Sequence, residues 1–111
     1  MKHLLAAFGL VLAALVANVA QGADLPVYKL VIKNHAFQPA ELSVPAGTKF
    51  KVLVINQDST ASEFESTEFN REKIVLPGSS VTVFVGPLSK GRYKFFDDFH
   101  QDTGKGVLIV Q

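Results

Sequence analysis

No cysteine occurs anywhere in the 111 residues, and that absence excludes three things at once. No disulfide can staple the chain, although small exported domains often depend on them. No thiolate can bind a metal, and no N-terminal cysteine can carry a lipid. Whatever core the chain builds must hold by packing alone. An excess of basic charge is missing too: 11 Lys and Arg face 10 Asp and Glu, and Lys2 alone makes the difference. A chain so balanced carries no electrostatic footprint for nucleic acid or anionic lipid. Repeats, low-complexity tracts and a second domain are likewise absent, and no stretch reads as a long helix.

What is present begins with an export signal. Lys2 gives a short positive start, and Leu4 to Ala20 is almost wholly apolar, with Asn18 the one clearly polar residue. Ala20-Gln21-Gly22-Ala23 then offers small residues for cleavage, after Gly22 or Ala23. This pattern predicts a signal peptide over 1–22, one domain over 23–111, and no transmembrane segment after cleavage. Leu4 to Ala23 is also just long enough to span a bilayer as an uncleaved anchor. The small residues at its exit and the lack of a following positive cluster favour cleavage.

Beyond residue 23, β-branched and aromatic runs alternate with turn residues. Val27 to Lys33 sets Tyr28, Leu30 and Ile32 on one face, and Ala40 to Val44 ends at the turn Pro45-Ala46-Gly47. Lys49 to Asn56 is apolar on both faces, which predicts burial on both sides. Ser80 to Val85, Arg92 to Phe96 and Gly106 to Val110 complete the set. About seven short strands predict an all-β antiparallel sandwich or barrel. Gln57 to Ser62 reads as a polar loop, and Ser66 to Lys73 as a helical turn capped by Ser66 or Thr67. The aromatic residues are expected mostly in the core, with Phe99 at the rim.

Chemistry-bearing residues gather in two places. Glu63 and Glu65 flank Phe64, so in a strand they share one face while Phe64 enters the core; Glu68 and Glu72 follow. Asp97, Asp98, His100 and Asp102 lie just past the Arg92–Phe96 strand, and His35 sits at an earlier strand end. Carboxylates with an imidazole form a hard ligand set, suited to iron, Mn(II) or Cu(II) rather than Cu(I). Self-repulsion in such a cluster raises pKa values unless a cation is present. The plainer alternative is a solvated acidic surface, paired loosely with Arg71, Lys73, Arg92 and Lys105. A hydrolase is disfavoured, because Ser62 and Ser66 lack a histidine in triad context.

Three segments resemble the cupredoxin family. Phe37-Gln-Pro-Ala-Glu-Leu-Ser-Val-Pro-Ala-Gly47 is similar to the family's opening pattern. The strand Phe50 to Asn56 leads into Ser62-Glu63-Phe64. Gly91-Arg-Tyr-Lys-Phe-Phe-Asp97-Asp-Phe-His100-Gln-Asp-Thr-Gly104 resembles the copper-binding loop. The resemblance implies a Greek-key β-sandwich whose two acidic clusters are neighbours around a metal. It also implies that Ser62 stands at the first histidine of a blue-copper site, Asp97 at the cysteine, His100 at the second histidine and Lys105 at the axial methionine. A blue-copper centre needs the thiolate, so the expected metal ion, iron or Cu(II), would be held by Glu63, Glu65, Asp97 and His100. Glu68, Asp98, Asp102 and His35 are outer candidates.

Glu63-Phe-Glu65, Arg71-Glu-Lys-Ile74, Gly86-Pro-Leu88, Gly91-x-Tyr93 and Phe99-His100-Gln-Asp102 resemble a narrower branch, found with bacterial high-affinity iron permease systems. That resemblance implies a periplasmic protein that binds or helps oxidise ferrous iron and passes it to the membrane permease, alongside other uptake components. A non-enzymatic metal-binding role is expected ahead of oxidation, which needs an electron acceptor. A second copy of the chain could complete the coordination shell. The competing expectation is a metal-free docking module whose acids meet a cationic partner.

Overall fold

In the stretch Val27–Lys33 the inward side chains Tyr28, Leu30 and Ile32 fall on alternate positions, and this segment forms the first strand, β1, of a nine-stranded sandwich. The computed structural model describes residues 24–111; the expected signal peptide at 1–22 lies outside the described residues. The further strands are β2 (Ala36–Gln38), β3 (Glu41–Val44), β4 (Phe50–Asn56), β5 (Ser62–Ser66), β6 (Arg71–Val75), β7 (Ser80–Val85), β8 (Gly91–Asp97) and β9 (Lys105–Val110). One sheet runs β2-β1-β4-β7 and the other β3-β9-β8-β5-β6. The expected all-β sandwich is therefore correct, with nine strands among the described residues rather than about seven. It is also not purely antiparallel: β1 with β4, and β3 with β9, pair in parallel. No helix among the described residues is long and apolar enough to cross a membrane.

The inner faces of the two sheets close over a single core. Leu30, Ile32, Phe50, Val52, Val54, Val83 and Val85 come from the first sheet, and Phe64, Val75, Phe95, Leu108 and Val110 from the second. Phe37, Phe64 and Phe95 meet at its centre, with Phe37 edge-on to Phe95 at 5.0 Å and Phe64 tilted on Phe95 at 5.3 Å. Each such side chain contributes about 1.5–3 kcal/mol by burial. A core of this kind replaces the disulfides that the composition denies. Phe84 (46% exposed) and the half-buried Phe96 lie outside it, contrary to expectation, and Phe99 is at the rim. Likewise β4 buries one face only; Leu53 and Ile55 on the other are half-buried.

The expected helical turn at Ser66–Lys73 is a β-turn followed by β6. Ser66 does cap the turn, its Oγ accepting from Phe69 N at 3.3 Å. Asn70, with φ of 60°, then reverses the chain. Arg71–Val75 returns along β5, pairing Glu65 with Glu72 and Glu63 with Ile74.

Two registers decide what each face of the second sheet carries. Phe64 pairs with Asp97 and Glu65 with Phe96, and directly opposed residues share a face. Asp97 thus belongs with Phe64 on the inner face, while Glu63, Glu65, Glu72 and Phe96 belong to the outer one.

Candidate functional site

At one end of the sandwich three connections meet: the β1–β2 hairpin, the β4–β5 loop and the β8–β9 loop. The hairpin is a two-residue turn in which Asn34 and His35 both take positive φ, 51° and 58°. This is the twist-matched turn for a tight hairpin, but outside glycine it is strained. Asp58 holds it, its two carboxylate oxygens accepting from Asn34 N at 2.8 Å and His35 N at 2.9 Å. The His35 amide above all, then Asn34 and the nearby imidazoles, lower the Asp58 pKa against the opposing effect of burial. The clamp lays the His35 ring flat on His100, centroids 3.7 Å apart and 11° from parallel. His35 Nε2 meets Thr60 Oγ1 at 3.2 Å, and Thr103 Oγ1 donates to His35 O at 2.6 Å.

Beneath this stack lies Asp97, wholly buried at 0% exposure. Its Oδ1 accepts from Glu63 N and Phe99 N, both at 3.0 Å, and its Oδ2 meets His100 Nδ1 at 2.9 Å. Burial opposes the charge. The neighbouring Ser62 hydroxyl, the two amides and His100 outweigh it and hold the carboxyl below its ordinary pKa. An ionised Asp97 can only accept, so His100 Nδ1 carries the proton that lies between them. Ser62 Oγ, although buried beside this group, has no hydrogen bond of acceptable geometry. Gly104 packs directly on the pair: a Cβ there would stand 2.5 Å from Asp97 Cβ and 2.8 Å from His100 O.

The outer face carries a different group. Glu63, Glu65 and Glu72 bring carboxylate oxygens within 4.8 Å of one another. Burial, then the Glu72 charge, with lesser effects from Glu65 and Asp98, push the Glu63 pKa to about 7. Glu63 is only 9% exposed, so water cannot fully screen it. Three ionised carboxylates here repel one another, and a cation would relieve them.

The eight residues singled out in the sequence therefore divide. Asp97, His100 and His35 come together, and Glu63 joins Glu65 with Glu72. The expectation that Glu63 and Glu65 face Asp97 and His100 is corrected, because the Phe64–Asp97 register sends the two sets to opposite faces of β5. Asp98 lies between, its N donating to Glu63 O at 2.9 Å and its Oδ1 accepting from Gln101 at 2.7 Å. Glu68 turns back to accept from Lys94 N at 3.3 Å, and Asp102 is exposed in the β8–β9 loop. Of the basic residues expected to pair with these acids, Arg92 binds Glu41 instead, and Arg71 donates to the Phe84 and Asn70 carbonyls. Asp58 and Thr60 carry no motif of their own in the sequence; Asn34 in a two-residue hairpin is the available signal for the turn that Asp58 clamps.

A blue-copper centre does not fit these residues. Asp97 and His100 are bonded to each other, Ser62 offers a hydroxyl, and Lys105 pairs with Phe96 and so projects on the face opposite Asp97. No thiolate exists to complete a trigonal site.

Comparison with known proteins nevertheless gives this fold. An uncharacterised protein of Rickettsia prowazekii (strain Madrid E) is 46% identical over 82 residues, covering 74% of this chain and 66% of its own length. Auracyanin A of Chloroflexus aurantiacus, described as a "blue" copper protein, superposes with a TM-score of 0.67 at 16% identity, over 77% of this chain and 98% of its own. The purple cupredoxin of Nitrosopumilus maritimus does so with 0.60 at 22%, over 76% and 99%. Amicyanin of Paracoccus versutus gives 0.60 at 18%, over 80% and 83%. The model of the cupredoxin-like domain matches residues 5–110, and with nearly its whole length so matched, the chain belongs to that family.

Proposed function

We propose that this protein binds a hard metal ion, iron foremost, as cargo on Glu63, Glu65 and Glu72, and serves iron uptake in the periplasm by handing it to a membrane permease. The observation that carries the proposal is the outer triad: three oxygens within 4.8 Å, one of them on a carboxyl whose pKa is near 7. Carboxylate oxygens match hard cations. The apolar Leu4–Ala20 run supports export, and the resemblance of the Glu63-Phe-Glu65 segment to iron-permease accessories supports the pathway. Binding is proposed ahead of oxidation, since carboxylates cannot take an electron from Fe(II). The Asp97–His100–His35 constellation is read as the support of this site rather than its ligand set, because its polar atoms are already engaged by one another.

The test is thermal unfolding of the purified protein with Fe(II) under anaerobic conditions, and with Mn(II) or Cu(II). A ligand of the native state at a hundredfold excess over its Kd adds about 2.7 kcal/mol. For a domain of this size that raises Tm by about 10 °C or more. A Glu65→Gln, Glu72→Gln double variant should lose the rise. If no metal moves the transition at tens of micromolar, or if the double variant keeps the rise, the reading is wrong. The acids would then be a docking surface for a cationic partner, recognised by steep salt dependence.

A further inference from the structure

The outer face of the second sheet also carries a cavity that the metal reading does not use. It opens over β3, β9 and β8 with a volume of about 600 Å³, within the range of about 300–1,000 Å³ common for small-molecule sites. Lys94 pairs with Val107 and Phe96 with Lys105, so these four side chains share the face. Phe96 and Val107, both half-buried, form an apolar wall that Ala40 extends, and Gln101 stands at the rim.

Of the charged residues lining this wall, the two that form no ion pair are both cationic. Among the described residues neither the Lys94 nor the Lys105 ammonium forms an ion pair, whereas Glu41, the acid at the far side, is engaged by Arg92 at 3.2 Å. On the other side of Phe96 lies Glu65, its register partner on β5. Phe96 thus stands between a cationic and an anionic border, and a bound anion must lie on the lysine side. A cation would be repelled by both ammoniums. A neutral apolar ligand would cover them without replacing their water, which costs free energy.

We propose that this cavity binds a small organic carboxylate with a flat apolar body. The body lies against Phe96 and Val107, and the carboxylate sits between the Lys94 and Lys105 ammoniums. The site shares no residue with the carboxylate triad and stands whether or not that triad holds a metal.

The experiment is an amide NMR titration of the purified, metal-free protein with benzoate, benzamide and acetate. Benzoate should give saturable shifts at Phe96, Val107 and Lys105, and bind about tenfold more tightly than either comparison compound, since charge-assisted hydrogen bonds and apolar contact each contribute at that level. The double variant Lys94→Gln, Lys105→Gln should weaken benzoate about tenfold and leave benzamide unchanged. The proposal is overturned if benzoate produces no saturable shift at millimolar concentration, if benzamide or acetate matches it, or if the shifts fall elsewhere on the protein.

Discussion

On its inner side β5 borders a carboxylate that three donors satisfy; on its outer side it presents carboxylates facing their own kind. Asp97 is wholly buried and keeps its charge, whereas Glu63, itself nearly buried, resists ionisation near neutrality. Burial opposes the charge of both acids, so burial alone does not decide their state. What decides it is whether hydrogen-bond donors converge on the group. A saturated carboxylate acts as part of the framework, and a frustrated one is open to a ligand.

The sharpest way to break this comparison is Asp97→Ala. It orphans the Glu63 and Phe99 amides and His100 Nδ1 at once, and unsatisfied buried groups cost about 1–3 kcal/mol each. Unfolding in urea should show a loss of about 3 kcal/mol or more; a loss well below that would mean the inner constellation does not hold the fold. Glu63→Gln should do the opposite. By removing one of three crowded charges it should stabilise the metal-free protein by about 1 kcal/mol at pH 8, and hardly at all at pH 4.

The two acids also separate along the pH axis. Glu63 has a raised folded pKa, so its favourable contribution is complete below about 4.5 and disappears as pH climbs through about 7. Asp97 has a depressed one, so its contribution is present above its unfolded value of 3.8 and is lost as pH falls through the folded pKa. Urea midpoints measured across pH should decline at both ends, with the Glu63→Gln variant flattening only the neutral side. A single variant flattening both sides would show that the two faces titrate as one. The smallest effect is expected from His35→Asn, which retains a residue tolerant of positive φ and removes the stacked ring. A loss of about 1 kcal/mol or less, with His100 ring protons moving downfield in NMR, would place the stack as an accessory to Asp97; a loss equal to that of Asp97→Ala would reverse that order.

Much of the fold was legible because its central strands have strong patterns. β1, β4, β7, β8 and β9 follow from alternating β-branched residues and the glycines or prolines that bound them. β6 was not legible, since Arg71-Glu-Lys at an exposed edge shows no alternation, and the capping pattern at Ser66 resembled a helix start. The resemblance to the copper-binding loop implied that Asp97 and His100 belong to one site, and the structure hydrogen-bonds them. Their separation from Glu63 and Glu65 depended on strand register, which a single sequence does not specify even where it puts Phe64 in the core. Glu72 entered the triad for the same reason, through its pairing with Glu65 across a strand that had not been expected. The His35 stack required the unusual hairpin and its Asp58 clamp, two features distant in sequence.

The bond from the Glu63 amide to Asp97 has a consequence for how the outer face would meet the cation proposed for it. That amide belongs to the very residue whose carboxyl is most crowded, so the framework pins the backbone of the group that repulsion would drive away. A flexible loop would relieve the repulsion by spreading and would have to be gathered again on binding. Here the donor atoms wait already assembled, and the ordering cost is met during folding rather than at the encounter.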